Sequence, residues 1–495
     1  MTISFNAADL LPLAPTIVVA LFAMAILVAD VFARPETSRV YAGYLTLAGL
    51  GVAFVLNLLA GDANAQPLFG GMIVVDAFSR FFNLVLIAAA ALSVLSAIAY
   101  FEEHGLHRGE FYALVLLALA GMMLMAASAD LLMFFVALEV MSIAVYVLAA
   151  YQRHLNRSIE AALKYFLMGA FSTAFLLFGI ALLYGASGTT NLAQLMAFLK
   201  DGAAGAPLLA AAGMILVLVG FAFKVAAVPF HMWTPDVYEG APTVVTGFMA
   251  AAVKAAAFAA FVRVFATAFF PVKLSDFGWY NVIWVLAVLT MTLGNLAALV
   301  QDNIKRMLAY SSIAHAGYLL VGFLTITQEK TQNGAASVLF YLAAYAAMNL
   351  GAFAVVMAFG RRDNENLEVG KGWAGLARRS PALGVAMTIF MLALAGVPPT
   401  AGFMGKFYVF KSAIDQGLIL IAVIGIINSL ISVYYYLRVT VYMYMAPEGE
   451  GAQTAPLASL PLALAVFFSA AAVLYLGILP STMLKAAERA VASLF

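Results

Sequence analysis

Seven ionisable side chains lie within long apolar segments of this sequence, where charge is unfavourable. They are Glu139, Lys164, Lys224, Lys254, Lys406, His231 and His315. A carboxylate or ammonium group inside a bilayer must pair, reach water or lose its charge, so such a residue is a functional candidate by default. Groups that alternate between charged and neutral forms suit proton transfer. The set therefore predicts a proton path through a membrane, with structural ion pairing as the alternative.

Four of these seven side chains each have a specific interpretation. Glu139 lies near the middle of one predicted helix, and a short loop leads to the next helix, which carries Lys164 near its start. We expect these two side chains to approach each other, with snorkelling of the lysine to the membrane surface as the alternative. Lys224 precedes Pro229 and is predicted to carry a proton, to bind carbonyls that the proline frees, or both. Lys254 has only small apolar neighbours, which favours a relay role.

The remaining charged candidates lie further along the chain. Lys406 follows a second proline-containing segment and is interpreted as the counterpart of the lysine before the first one. His231 and His315 titrate in the useful range and are predicted to bridge lysines too far apart for direct transfer, with hydrogen-bonded packing as the alternative. Arg263 and Arg438 stay charged and lie nearer helix ends, so snorkelling or loop anchoring is expected.

The composition identifies a membrane protein. Hydrophobic residues make up 65% and charged residues 10% of 495 positions, whereas a soluble domain has about 25% charged residues. The net charge of +1 gives no basic field for nucleic acid. Cysteine is absent and the five histidines show no zinc spacing. The sequence therefore predicts no disulfide, iron–sulfur or metal site, and no glycine-rich phosphate loop follows a strand.

Apolar segments long enough to cross a bilayer recur along the whole chain. A spanning helix needs about 20 apolar residues. Fourteen segments meet this requirement: 11–33, 40–60, 76–100, 110–127, 130–150, 158–185, 207–238, 243–269, 280–300, 303–326, 335–360, 381–413, 418–445 and 459–480. The segment 191–200 is too short and is predicted to be an interfacial amphipathic turn. A barrel is the alternative, but the segments do not alternate as barrel strands do.

The charges of the loops predict the orientation. Loops after odd-numbered helices carry twelve Lys and Arg residues, and the other loops and the tails carry seven. Because basic residues concentrate on the cytoplasmic side, both termini are predicted to lie outside. The loop 361–380 supplies five of the twelve. The first apolar segment is too long for a signal-peptide core and is predicted to be a retained first helix. The lack of a targeting peptide favours a bacterial inner membrane, with an organelle-encoded chain as the alternative.

Two predicted helices, the seventh and the twelfth, contain prolines that should interrupt them. Pro229 and Pro235 lie in the seventh, and Pro398 and Pro399 lie in the twelfth. Broken helices in corresponding positions mark the site in transporters built from inverted repeats. A repeat of five helices places the second copy upside down relative to the first. The predicted divisions are 1–109 (helices 1–3), 110–270 (helices 4–8, first repeat), 280–445 (helices 9–13, second repeat) and 459–495 (helix 14 and tail).

Three stretches of the sequence resemble a known family. They are FKVAAVPFHMWTPDVYEGAPTVVTGFMAAAVKAAAF, QDNIKRMLAYSSIAHAGYLLVGF and LALAGVPPTAGFMGKFYVFKSAI. They resemble the antiporter-like, proton-translocating membrane subunits of respiratory complex I over nearly the whole chain. The lysine at Lys406 and the length of 495 residues look most like the subunit N group of that family.

The resemblance implies roles for particular residues. The family's membrane carboxylate and lysines fall on Glu139, Lys164, Lys224, Lys254 and Lys406, and its relay histidine falls on His231. Protons are expected to enter from the cytoplasm near the first break, pass Lys224 and then Lys254, and leave through Lys406. In this scheme Glu139 tunes Lys224.

The resemblance also implies partners and leaves alternatives open. The expected neighbours are subunit M on one side and the small subunits K and A/J on the other, in a complex that oxidises NADH and reduces quinone. Flavin, iron–sulfur clusters and the quinone site are expected in other subunits, with no cofactor in this chain. A subunit of a multi-subunit Na⁺/H⁺ antiporter is the second hypothesis, and a scaffold without transport is the third.

Overall fold

The protein is an all-helical membrane-type fold. The computed structural model describes residues 10–34, 38–60, 66–203, 205–272, 278–326, 333–360, 368–370, 372–447 and 459–494. Within these residues, thirteen helices are long and apolar enough to cross a membrane. The only strands among them form one short antiparallel hairpin, β1 (Gln66–Leu68) and β2 (Ile73–Val75). The predicted all-α polytopic class is confirmed.

In the first half of the chain, the described residues form eleven α-helices. They are α1 (Ala14–Phe32), α2 (Val40–Leu59), α3 (Ala77–His104), α4 (Gly109–Ala127), α5 (Leu131–Ala149), α6 (Asn156–Ser187), α7 (Leu192–Lys200), α8 (Pro207–Lys224), α9 (Trp233–Gly240), α10 (Thr243–Phe248) and α11 (Lys254–Thr267). A π-helical segment, Met249–Val253, joins α10 to α11. The short α7 lies where the sequence predicts a non-spanning amphipathic element.

The part of the second half that the structure describes contains nine α-helices. They are α12 (Trp279–Leu299), α13 (Ile304–Leu324), α14 (Asn333–Phe359), α15 (Leu376–Arg379), α16 (Pro381–Ala395), α17 (Ala401–Asp415), α18 (Ile419–Met445), α19 (Leu460–Ile478) and α20 (Ser481–Ala492). The terminal helix α20 buries Ala487, Ala490 and Val491 and was not predicted. Its polar, amphipathic sequence lacks the long apolar run used to find the other helices.

Both predicted helix breaks are present. The seventh predicted helix divides into α8 and α9 around the cis Val228–Pro229 bond. The backbone N–H of Val228 donates to Thr290 Oγ1, 2.9 Å away, so the break is held by a helix from the second half. This bond satisfies a donor that the interrupted helix no longer uses.

The second break divides the twelfth predicted helix into α16 and α17 around the cis Pro398–Pro399 bond. Neither piece alone is long enough to span, so this broken pair accounts for the fourteenth predicted segment. The two pieces approach closely, because a Cβ added to Gly402 would lie 1.8 Å from the carbonyl oxygen of Ala393. Only glycine fits at that position.

The most buried helices lie at the centre of the bundle and carry the polar candidates. In the segment 243–267 and in α14, every residue of the 18-residue stretch that could span the membrane is buried. In α13, 94% of the residues in such a stretch are buried. By contrast, only 22% of the residues in the corresponding stretch of α1 are buried. Outward faces expose large apolar side chains such as Phe171 and Leu430, each 71% exposed. This distribution suits a bundle whose surroundings are lipid.

The predicted orientation of the termini stays a prediction. Five basic residues used to predict it lie outside the described residues: Lys273, Lys330, Arg361, Arg362 and Lys371. A sixth, Lys305, was counted as a loop charge but is buried at the start of α13, where its Nζ donates to the carbonyl of Ala241 at 2.7 Å.

Candidate functional site

Lys224 ends α8 and points at one face of α5. Its Nζ donates to Ser142 Oγ at 2.8 Å and lies 3.5 Å from the hydroxyl of Tyr146. Glu139 lies one turn before Ser142 on α5 and is within Coulombic range of the lysine. Its Oε1 is buried and has no hydrogen-bond partner among the described residues. The carboxylate and the ammonium group are therefore near each other without forming an ion pair.

The expected approach of Lys164 to Glu139 is wrong. The Nζ of Lys164 pairs instead with Glu160 and with Asp236, each at 2.8 Å, and its side chain is 41% exposed. The neighbouring Tyr165 faces the interior and stacks on Trp233 with ring centroids 4.5 Å apart. Because successive helical residues point about 100° apart, only one of the two can face the core. The exposed position corresponds to the snorkelling alternative.

A charged cluster at this end of the bundle was missed by the sequence analysis. Asp236 also accepts from Arg306 at 2.8 Å, and Arg306 contacts Glu239 at 2.9 Å. Burial raises the pKa of Asp236, but hydrogen bonds from Lys164 and Arg306 more than compensate and hold this pKa below its usual value. A cavity of about 270 Å³ lies beside the cluster. The acidic residues of the sequence DVYEG could have indicated this cluster.

Lys254 begins α11, directly after the π-helical segment. Its Nζ donates to the carbonyl oxygen of Ser312 at 2.6 Å and to the hydroxyl of the same residue. It also lies 5.6 Å from the ring centroid of Tyr345. The partner that the sequence could not identify is therefore a serine of α13.

Lys406 lies in the second turn of α17 and contacts the end of α16. Its Nζ donates to the carbonyls of Leu394 and Ala395, at 3.0 and 2.9 Å, and to Ser429 Oγ at 2.9 Å. It lies 5.1 Å from the ring centroid of Tyr318. The carbonyl-binding role predicted for the first break is thus found at the second. Lys406 follows its break whereas Lys224 precedes its own, and the assignment of the two as counterparts stays a prediction.

His315 is buried between two of these lysines. Lys254 bonds Ser312, one turn before His315 on α13, and Lys406 contacts Tyr318, one turn after it. Both ammonium groups lie within Coulombic range of the imidazole. Its Nδ1 and Nε2 lie 2.6 and 3.1 Å from the hydroxyls of Tyr341 and Tyr436. The structure therefore places His315 where a bridging role was expected.

His231 lies in the first break and is only half-buried. Its Nδ1 has no hydrogen-bond partner among the described residues. Neither ring nitrogen contacts a lysine within that part of the chain, so the structure does not bring His231 into the series of buried lysines.

The two arginines have structural contacts. Arg263 forms a buried bidentate pair with Asp76, with both N–O distances between 2.8 and 2.9 Å, and its Nε donates to the carbonyl of Ala126. Snorkelling is therefore wrong for Arg263. Arg438 donates to the carbonyls of Leu299 and Gln301 after α12, which is the expected loop anchoring.

Two of the three buried lysines contact the same helix. Lys224 faces α5, Lys254 is bonded to α13, and Lys406 contacts the same α13 two turns later. Hydroxyl groups bind the Lys224 ammonium group, hydroxyl and carbonyl groups bind the other two, and no carboxylate pairs with any of the three within the described part of the chain. Such sites hold a proton that can leave, since no fixed negative charge locks the charged form in place.

Comparison with known proteins gives consistent results. Residues 128–432 match the family described as "NADH:quinone oxidoreductase/Mrp antiporter, TM". The chain is 47% identical to NADH-quinone oxidoreductase subunit N of Trichlorobacter lovleyi, with 98% of each chain covered. It is 46% identical to the protein of the same name from Myxococcus xanthus, again with 98% of each covered.

Solved structures show the same architecture. A chain of respiratory complex I from Thermus thermophilus with bound aureothin is 36% identical and has a TM-score of 0.78. The match covers 95% of this chain and 98% of that chain. A chain of the Mrp complex from Dietzia sp. has a TM-score of 0.83 at 23% identity, with 99% of this chain and 98% of that chain covered. At that identity the Dietzia chain shows the fold alone.

Proposed function

This chain belongs to the NADH:quinone oxidoreductase/Mrp antiporter transmembrane family, within its subunit N group, and on that premise we propose how it moves protons. It is a proton-translocating membrane subunit of NADH:quinone oxidoreductase. NADH oxidation and quinone reduction take place elsewhere in the complex, and this chain moves protons in response.

One observation supports the proton-carrying role of Lys224, Lys254 and Lys406 above all others. Each ammonium group is buried and bonded to neutral oxygen atoms, whereas the buried Arg263 is neutralised by Asp76. A scaffold would pair every buried charge in the way that Arg263 is paired, because an unpaired buried charge is destabilising. Unpaired lysines that can gain and lose a proton instead suit translocation.

The proposed route runs from the first helix break to the second. Protons enter from the cytoplasmic side beside α9, reach Lys224, pass to Lys254 and then, by way of His315, to Lys406. Glu139 regulates the first step: when its carboxylate approaches Lys224 the ammonium form is favoured, and when it withdraws the proton is released. Lys164 lies outside this series and acts in the charged cluster at the entrance. His231 borders the first break, where a small displacement would bring it to the entering proton.

The partners are other subunits of the complex. We place subunit M on one side and subunits K and A/J on the other, in a bacterial inner membrane with both termini outside. Flavin, iron–sulfur clusters and the quinone site are assigned to other subunits. The two inverted repeats span 110–270 and 280–445, flanked by 1–109 and 459–495, and the paired helix breaks support this division.

A subunit of a Na⁺/H⁺ antiporter is the second candidate, because the Mrp chain shares the fold. The two differ in what drives proton movement. Isolation from the native membrane distinguishes them: copurification with redox subunits and NADH oxidation supports the first, and Na⁺-dependent proton exchange without NADH oxidation supports the second.

The mechanism is tested by NADH-driven proton uptake in sealed membrane vesicles. We expect Lys224→Ala and Glu139→Ala to lower both pumping and quinone reduction in a complex that still assembles. The matched control is Lys411→Ala, which removes an exposed lysine that pairs with Asp415 on the same helix. Normal pumping in both test variants would refute the route.

A further inference from the structure

Both ring nitrogens of the buried His315 contact tyrosine hydroxyls. Nδ1 lies 2.6 Å from Tyr341 and Nε2 lies 3.1 Å from Tyr436. The hydroxyl of Tyr436 is in turn hydrogen-bonded to Ser311 Oγ. These four side chains, from α13, α14 and α18, form one continuous series of hydrogen bonds, which we name the hydroxyl–imidazole chain.

Every member of the hydroxyl–imidazole chain can donate or accept. A hydroxyl has one proton and two lone pairs, and a neutral imidazole has one N–H and one bare nitrogen. If Nδ1 carries the proton, it donates to Tyr341 and Tyr436 donates to Nε2. If Nε2 carries the proton, both bonds reverse. The chain therefore has two hydrogen-bonded arrangements with the same heavy-atom positions.

The ends of this chain lie toward two of the buried lysines. Ser311 precedes Ser312, which accepts from Lys254. At the other end, the ring of Tyr341 packs on Gly405, since a Cβ added there would lie 2.4 Å from it, and Gly405 adjoins Lys406. The hydroxyl–imidazole chain thus runs from the surroundings of one lysine to those of the next.

The lysines also restrict how the histidine can act. Both ammonium groups are within Coulombic range of His315, and charges in a low-dielectric interior repel strongly. An imidazolium between them would add a third positive charge to a region without a carboxylate partner among the described residues. The free-energy cost of proton transfer is therefore lowest if the imidazole ring of His315 never becomes an imidazolium.

We propose, building on the proposed function, that Tyr436 and Tyr341 are proton-carrying residues that pass protons through a neutral His315. A proton arriving on Ser311 Oγ sends the serine proton to the Tyr436 oxygen. The Tyr436 proton moves to Nε2, the Nδ1 proton moves to the Tyr341 oxygen, and the original Tyr341 proton leaves toward Lys406.

This shift is balanced, because one proton enters, one leaves and no group changes its net charge. The imidazole ends as the other tautomer. A second proton follows only after the hydroxyls have turned and the imidazole has returned to its first tautomer, so the chain admits one proton at a time.

The test measures proton uptake per NADH oxidised in sealed vesicles that contain the whole complex. The variants are Tyr436→Phe, Tyr341→Phe and His315→Gln, with assembly checked on native gels. Glutamine keeps one donor and one acceptor but cannot pass a proton between them. Tyr408→Phe is the control, since this tyrosine of α17 packs against Phe340 outside the chain. Lys254→Ala, measured in parallel, reports on the proposed function itself.

We expect each of the three variants to lower the Lys254-dependent part of pumping by about tenfold or more, as loss of a positioned proton carrier does. Tyr408→Phe should match wild type. An active His315→Gln variant would show that the hydrogen bonds are only structural and would overturn the proposal. Wild-type pumping by assembled Tyr436→Phe, with Lys254→Ala inactive, would overturn the proposal and leave the proposed function standing. If Lys254→Ala also pumps normally, the proposed function fails as well.

Discussion

Replacing Lys406 by Arg and by Met separates two roles that the structure gives to this lysine. Its ammonium group donates to the carbonyls of Leu394 and Ala395, which end α16 where the proline pair interrupts the helix. It is also the last proton carrier of the proposed route. Arginine keeps the charge and the donors but does not release its proton at physiological pH. Methionine keeps neither donor nor charge.

The magnitude of the structural effect follows from the two carbonyl bonds. A hydrogen bond from a charged donor contributes about 1.5–3 kcal/mol, so loss of both in the Met variant destabilises the break by about 3–6 kcal/mol. A cavity of about 540 Å³ beside Lys406 gives the larger guanidinium room. We therefore expect a loss within this range for Met and a small effect for Arg.

The assay combines thermal stability of the purified complex with NADH-driven pumping in vesicles. We expect the Met variant to lose both stability and pumping, and the Arg variant to assemble with near-normal stability but not to pump. If the Arg variant pumps at the wild-type rate, the role of Lys406 is to bind carbonyls, and it carries no proton.

Four further perturbations have expected outcomes. Arg263→Met leaves Asp76 buried without its cation and should destabilise the protein by about 3–5 kcal/mol, which is measured as loss of assembled complex on native gels. The control Lys411→Met breaks an exposed ion pair and should change stability by at most about 1 kcal/mol. Gly402→Ala places a methyl group against the Ala393 carbonyl and should prevent assembly, while Gly51→Ala, with open space around it, should assemble normally. Because the folded-state pKa of Asp236 is lowered, its ion pairs stabilise the protein above the usual carboxyl pKa, and this contribution is lost as pH falls through the lowered value. Thermal melts of Asp236→Asn should therefore show a smaller loss of stability on acidification than wild type, and an unchanged acid profile would contradict the cluster's role. Ser142→Ala removes the hydroxyl bonded to Lys224 and should lower pumping several-fold without loss of assembly, and wild-type pumping would show that Ser142 does not hold the lysine in place.

The sequence predicted most spanning helices because the requirement for a spanning helix is local. Length and apolar content alone decide whether a segment can cross the hydrocarbon core. The helix α20 was missed for the same reason, since its amphipathic twelve residues fail this criterion although they pack on the bundle. Both breaks were predicted because proline disrupts a helix wherever it occurs in the interior.

The partners of the buried charges were harder to predict. Lys164 was expected to approach Glu139 on α5, but it contacts Glu160 on its own helix and Asp236, which lies 72 residues away. Snorkelling or loop anchoring was expected for Arg263, which pairs with Asp76, 187 residues away. Nothing in the local sequence of either residue indicates which distant helix packs against it.

By itself, the sequence determined the membrane class, the positions of the interrupted helices and the burial of Lys224, Lys254 and Lys406, because bilayer insertion constrains each segment separately. Only the tertiary structure decided what each of these residues contacts. It gave Lys406 the carbonyls of α16, and it placed His315 between tyrosines that lie 26 and 121 residues away in the chain. Those contacts depend on how helices pack against one another, and helix packing brings together side chains that no local pattern relates.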